Sequence, residues 1–304
     1  MPNIIVIADV NSFQKEVSFQ RIIFLRTLQM LGAIQLYHPN EPVSIGSRDI
    51  LIFYFIRPFH HESCFEIPSS FRRYVSRSLI YMEDIYHVRH ITKLLHQNKI
   101  FNLILPMKQS YYEQIFNRLG FRTFVVHTFL RVPRNIMIKQ KTHDILLYGN
   151  TNPQIYPFRH RLFQLLLKHR HLFRIKHVPF LQISRNTTLE KQDILYRSIR
   201  CARLCVATNS AYNFLIKKYL EIPSCGTAIL GNIPSNYSDI FTEDTMVYVH
   251  RKMSDHEIMV EISNHLQNPE YLQMKTNSLQ KLIRSKFSLQ NSLYEIEQIK
   301  KNFT

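Results

Sequence analysis

The sequence predicts an α/β protein made of two doubly wound domains, one after the other. Three observations carry this. Short, continuously apolar runs alternate with amphipathic segments of helical period, as expected of parallel strands covered on both faces. The alternation lapses between 128 and 142, in "TFLRVPRNIMIKQKT" around Pro133, and then restarts. A chain of 304 residues is also long enough for two cores of ordinary size.

In the first half, "NIIVIA" (3–8) reads as a strand, "VSFQRIIFLRTLQML" (17–31) as a helix and "AIQLYH" (33–38) as a strand. "DILIFYFI" (49–56) and "SLIYM" (78–82) are further strands, followed by the helix "DIYHVRHITKLLHQ" (84–97). "IFNLILP" (100–106), the serine-capped and glycine-stopped helix "SYYEQIFNRLG" (110–120) and the strand "RTFVVH" (122–127) complete the first domain. The second begins with the strand "DILLYG" (144–149). "RHRLFQLLLKHRHLFRIKH" (159–177) mixes leucines and bases at helical spacing and reads as a helix with one core face and one basic face. "RIKHV" (174–178), the helix "TLEKQDILYRSIR" (188–200) and the strand "RLCVA" (203–207) follow. A charged helix then runs into the strand "TAIL" (227–230), "DTMVYV" (244–249) is the last strand, and three helices reach the C-terminus.

Composition narrows the function. Hydrophobic content of 45% with 20% charged residues is that of an ordinary globular protein. The longest apolar run, "ILIFYFI" (50–56), is too short to span a membrane, and no basic stretch leads into an apolar signal core, so a cytoplasmic protein is expected. Cys64, Cys201, Cys205 and Cys225 have neither zinc spacing nor a disulfide framework and read as free thiols. The formal net charge is +17, which calls for an anionic partner: a nucleoside diphosphate, nucleic acid or an acidic membrane surface all satisfy it.

Two stretches could carry chemistry. After the strand "DILLYG", Gly149 and the small polar Asn150 and Thr151 let backbone N–H groups approach an anion, and Arg159 and Arg161 follow in the next helix; that set could hold a diphosphate, or be an ordinary turn with solvated arginines. The second is "KKYLEIPSCGTAIL" (217–230). Pro223 should end the helix near Ile222 and Gly226 can take a left-handed turn, which leaves Glu221 at the partly negative helix end, where a carboxylate is disfavoured. Either Lys217 and Lys218 pair with Glu221 on the helix face, or the carboxylate accepts the two hydroxyls of a ribose while Lys218 points at a phosphate and Gly226 admits the following backbone.

With its flanking blocks, "DILLYGN…YPFRHRLFQLL…DILYRSIRCARLCVA…KKYLEIPSCGTAILGNIP…YVHRKMSDHEIMVEISNHLQNPEYLQ" resembles the donor-binding half of GT-B glycosyltransferases, closest to the group-1-like family that includes the spore-coat CgeB-type proteins. The resemblance covers roughly residues 120–285, and Lys218, Leu220, Glu221 and Gly226 match the family's nucleotide-sugar contact motif. It implies two Rossmann-like domains facing a cleft: residues 1–130 on the acceptor side, 131–285 binding the donor, and a C-terminal helix in 286–304 bracing the first domain. Taken together, the loop after "DILLYG" and the resemblance give Gly149, Asn150, Thr151, Arg159, Arg161, Lys218, Glu221, Gly226 and Thr227 as the expected nucleotide-sugar set, with Lys218 and one of Arg159 or Arg161 neutralising the diphosphate. Retaining members often carry a glutamate eight residues before the first; here that position is Asn213, so inversion is expected.

An inverting enzyme needs a base to take the acceptor's hydroxyl proton. Asp84, beside Glu83 and His87 after the strand ending at 82, is the first candidate, with helix capping as its ordinary alternative. Asp9 and Asn11 after the first strand form a second acceptor-side set, and His127 is either a cleft residue or a satisfied structural histidine. No Asp-x-Asp triplet occurs, so neither a metal nor another cofactor is expected and bases with backbone N–H groups would neutralise the leaving diphosphate. The expected partners are a nucleotide-sugar donor and a glycan, lipid-linked or protein acceptor, with peripheral contact with an anionic membrane. The competing reading is a non-catalytic nucleotide- or nucleic-acid-binding protein with a basic surface; nucleic acid is not favoured, for want of a recognisable nucleic-acid-binding signature.

Overall fold

The computed structural model describes residues 2–8, 19–38, 41–54, 69–82, 88–108, 110–128, 140–178, 188–211 and 215–303. The chain forms two compact units: Met1–Phe129 together with Phe287–Thr304, and Leu130–Lys286.

The first unit is built on six parallel strands, β1 (Ile4–Ile7), β2 (Gln35–Tyr37), β3 (Ile50–Tyr54), β4 (Ser78–Tyr81), β5 (Asn102–Leu105) and β6 (Arg122–Val125), in the order β2-β1-β3-β4-β5-β6. Its central strands are apolar on both faces and buried throughout, because helices cover both sides of a parallel sheet. The helices are α1 (Phe19–Met30), α2 (Val88–Gln97) and α3 (Ser110–Arg118), and a 3-10 helix over Ser69–Arg77, which the periodicity did not indicate, leads into β4. Gly120, at φ +84°, reverses the chain after α3 so that β6 can start at once.

The second unit repeats the plan with β7 (His143–Tyr148), α4 (Pro157–Lys168), β8 (Ile175–Val178), α5 (Thr188–Arg200), β9 (Ala202–Ala207), α6 (Lys218–Ser224), β10 (Ala228–Gly231), β11 (Val247–Tyr248), α7 (Asp255–Gln267) and α8 (Pro269–Lys286). All pairings are parallel, in the order β11-β10-β9-β7-β8. Two expectations are corrected here. The basic helix stops at Lys168: the N–H of His169 bonds Leu165 O, that of Arg170 bonds Leu167 O in a tighter turn, and residues from 175 join the sheet as the partner of β7. The last strand is two residues long, not six.

The chain closes with α9 (Leu289–Phe303), which packs on the first unit. Ile296 and Ile299 sit in the same core as Ile4, Val6, Phe24, Leu28 and Ile52. His127, just beyond β6, holds the helix in place: its backbone N–H donates to Glu295 Oε2 (2.7 Å), its ring Nδ1 meets Glu295 Oε1, and its carbonyl accepts from Ser292 Oγ. No helix among the described residues is long and apolar enough to cross a membrane.

Candidate functional site

In an open parallel sheet, ligands settle at the carboxyl ends of the strands where the strand order reverses. In the second unit that point lies between β7 and β9, because the chain leaves β7 toward β8 and later winds from β9 toward β10 and β11. The residues leaving these two strands are Gly149, Asn150 and Thr151 on one side and Thr208 and Asn209 on the other.

Buried cations tie these loop ends together. Arg159, on α4 and only 2% exposed, donates from Nη1 to Asn150 O (2.8 Å) and from Nη2 to Thr208 O (3.1 Å), with its guanidinium 3.8 Å from the centre of the Tyr156 ring. Lys218, at the start of α6 and 7% exposed, donates from Nζ to Tyr148 O and lies 3.8 Å from the Tyr148 ring centre. Gly149 takes φ +82°, which calls for glycine, and a Cβ there would lie 2.9 Å from Lys218 Nζ and push the lysine's end aside. Asn150 and Asn152 complete the loop, each accepting from the backbone N–H two residues on, and His160 Nδ1 donates to Thr151 O (3.1 Å). The Thr208 hydroxyl, at the switch point, is fully buried with no partner among the described residues.

Glu221 lies one turn along α6 from Lys218, half-buried by surface but with its carboxyl packed in protein. Burial raises its pKa above the ordinary carboxylate value, against the opposing pull of Lys217 and Lys218. Burial, helped by Arg159, pushes Lys218 well below the usual lysine range. In both groups burial disfavours the charged form, a pattern frequent at functional sites.

The remaining candidates are placed as follows. Arg161, two residues on from Arg159 and so on the other side of α4, is engaged elsewhere: it forms a forked pair with Asp255 (3.0 and 2.6 Å) and donates to Arg251 O and Met253 O, tying α4 to the start of α7. The helix of Glu221 runs through Pro223 to Ser224, two residues past the expected stop. There Gly226 closes a Schellman turn, with Thr227 N–H on Ile222 O and Gly226 N–H on Pro223 O, at φ +72°. Nothing lies within 4 Å of a Cβ at Gly226, so conformation and not close approach of the backbone requires the glycine, which corrects that expectation. Gly226 and Thr227 also precede β10 and so lie at the amino edge of the sheet, roughly 13 Å along the strand from its carboxyl end. There Lys141 donates to Gly226 O (2.8 Å) and Thr227 Oγ1 (3.0 Å), and Thr227 donates to Ile199 O. His127 is a structural residue of the first unit, as described above. Asp9, Asn11, Asp84 and His87 lie outside the described residues, as do Glu83, Asn213 and Cys64; Cys201, Cys205 and Cys225 are free thiols.

Besides Thr208, both Gly231 and Asn232 belong to this neighbourhood and are not among the residues the sequence singles out. Gly231 ends β10, and a Cβ there would fall 1.6 Å from Ala207 O, so the two strands touch through it. Asn232 accepts from Asn209 N–H (3.0 Å) and its carbonyl accepts from the Tyr219 hydroxyl, joining the ends of β9 and β10 to α6. A signal was present: "LLYGN" (146–150) and "AILGN" (228–232) are the same strand ending used twice.

The architecture thus defines a protein of two parallel-sheet α/β units, with polar, cation-braced loop ends at the switch point of the second. Solved structures share that architecture, the two-unit GT-B fold. The chain is similar to a sucrose-phosphate synthase from Thermosynechococcus elongatus (13% identity, TM-score 0.54, 99% of each chain covered). It is also similar to HepE from Anabaena in complex with UDP-glucose (11%, 0.55, 99% of each chain) and to an α1,3-fucosyltransferase with GDP (10%, 0.50, 100% of this chain and 91% of that one). At such identities the likeness is one of fold. No protein-family model and no curated protein matches the chain.

Proposed function

We propose that this protein is a glycosyltransferase that moves a sugar from a nucleotide donor, with the nucleotide held over the carboxyl ends of β7 and β9. The observation that carries the reading is the Gly149 turn, fixed from beneath by Lys218 and across the switch point by Arg159, with the Glu221 carboxyl one helical turn away. The backbone N–H groups of 149–151 face the diphosphate and Glu221 takes the ribose hydroxyls. Arg159 and Lys218 add positive potential from within the fold, while their hydrogen bonds aim the backbone. The GT-B fold and the UDP-glucose and GDP complexes of the similar structures support the donor class.

The finer assignments belong to the same proposal. The transfer is metal-independent and inverts the sugar's configuration with Asp84 as base, the acceptor being a glycan, a lipid-linked sugar or a protein side chain. Peripheral contact with an anionic membrane suits the net charge of +17.

Thermal shift against UDP-, GDP- and dTDP-sugars, beside oligonucleotides at two salt concentrations, tests the donor class. Stabilisation by one nucleotide sugar is expected. Stabilisation by oligonucleotides alone, lost at high salt, means a nucleic-acid binder instead. Glu221→Gln sharpens the test. A carboxyl whose folded pKa is raised lowers stability as pH rises from its unfolded to its folded value, so at neutral pH the neutral amide should leave the unliganded melting temperature equal or higher. The same change should abolish the nucleotide-sugar shift.

A further inference from the structure

We propose that a second cleft in the Leu130–Lys286 unit, beside the open edge of β11, binds a neutral saccharide. The cleft has a volume of about 420 Å³ and is bounded by the segments flanking β11 and by α7 and α8. It lies at the far end of the sheet from β8, with β10 between it and the β7–β9 switch point, so it is separate from the proposed nucleotide site. Its size is within the range of small-molecule pockets, roughly 300–1,000 Å³.

Its lining selects the ligand's chemistry. Two aromatic pairs supply apolar faces: Tyr248 with His250 (5.3 Å between ring centres) and His265 with Tyr271 (5.8 Å, near-parallel). Glu243, Asp244 and Glu261 supply acceptors, and Lys275 supplies a positive charge anchored on Glu243 O and over the Tyr271 ring. His265, 9% exposed, is the decisive residue. Its Nδ1 lies 3.0 Å from Glu261 O and 3.4 Å from Glu261 Oε1, so Nδ1 carries a proton; in the neutral ring Nε2 is then an acceptor, buried and without a partner among the described residues. An anion would bring no donor to Nε2 and would meet three carboxylates. A metal ion is not served, since no group of three His, Cys, Asp or Glu among the described residues is arranged to hold one. An organic cation would meet Lys275 and the field of a +17 protein. Sugar hydroxyls both donate and accept, and a sugar's C–H face stacks on an aromatic ring, so a neutral saccharide uses every element of the lining.

The inference does not depend on the transferase reading, because binding is measured without turnover. Titration calorimetry with maltose, lactose and N,N′-diacetylchitobiose up to about 10 mM, with and without saturating UDP, is the test. One of the three is expected to bind, to remain bound with UDP present, and to weaken tenfold or more in both Tyr248→Ala and Glu261→Gln. Glu261 is a partly exposed helix-surface residue, so its variant keeps the test decisive if Tyr248→Ala fails to fold. Absence of binding by all three, displacement by UDP, indifference to both substitutions, or binding of spermidine in place of the sugars would each overturn the assignment.

Discussion

Lys218 is a cation whose work in the structure differs from the one its sequence position suggests. One turn from an acid, beside a phosphate-binding pattern, it reads as a side chain that reaches for an anion. Folded, it is buried, and its ammonium is hydrogen-bonded to the carbonyl just before Gly149. Its charge still contributes to the local field, but its contacts position the backbone. This yields a paired prediction. Gly149→Ala and Gly226→Ala both force alanine into a left-handed conformation and should each cost about 1–2 kcal/mol, read by urea unfolding. Only Gly149→Ala also drives a methyl against Lys218 Nζ at the switch point, so it alone should weaken nucleotide-sugar stabilisation, about tenfold in apparent affinity, a difference of about 1.4 kcal/mol. Equal loss of affinity in both would place the site elsewhere.

At the scale of elements, β7 and β8 show what a basic segment does once a sheet claims it. The bases from 159 to 177 suggest one long amphipathic helix, yet the chain turns at His169 and reaches Arg174, whose guanidinium forks onto Asp144 at the start of β7. Arg203 adds a second guanidinium 3.7 Å from the same carboxylate. The hydrogen bond from Arg174 holds Asp144 below its ordinary pKa, against a smaller opposing effect of burial. A depressed carboxylate contributes stability above its unfolded pKa and loses it as pH falls through the folded one. Asp144→Asn should therefore lower the urea midpoint at about pH 7, and the difference from the parent should shrink toward zero near pH 2. A difference independent of pH would assign the effect to packing. The helix boundary was missed for the same reason: lone basic residues satisfy a solvated helix face and an exposed edge strand equally well, and only the partner strand decides.

For the whole molecule, the last fifteen-residue helix returns to the first unit, so that unit is built from both ends of the chain. Ile296→Ala should cost about 2–5 kcal/mol, as for other truncations in a filled core. Scanning calorimetry should show the transition of the first unit falling while nucleotide-sugar stabilisation, which resides in the second, persists. A shift in both would mean that the two units unfold as one.

What the sequence determined unaided was the periodic part: the alternation of apolar strands and amphipathic helices, the break near 128–142, the glycines at turns, and the unusual acid at 221. These are local properties, set by side-chain spacing along one segment and by backbone freedom at single residues. Tertiary structure alone decided which polar groups meet. The sequence presents Arg159 and Arg161 as equivalent, but helical geometry separates them by about 200° around the axis, so one braces the switch point and the other ties two helices together. Thr208, Gly231 and Asn232 became visible as parts of a site only when parallel pairing brought the ends of β7, β9 and β10 side by side. Chemistry at a strand end depends on neighbours tens of residues away in the chain, and no local pattern encodes that distance.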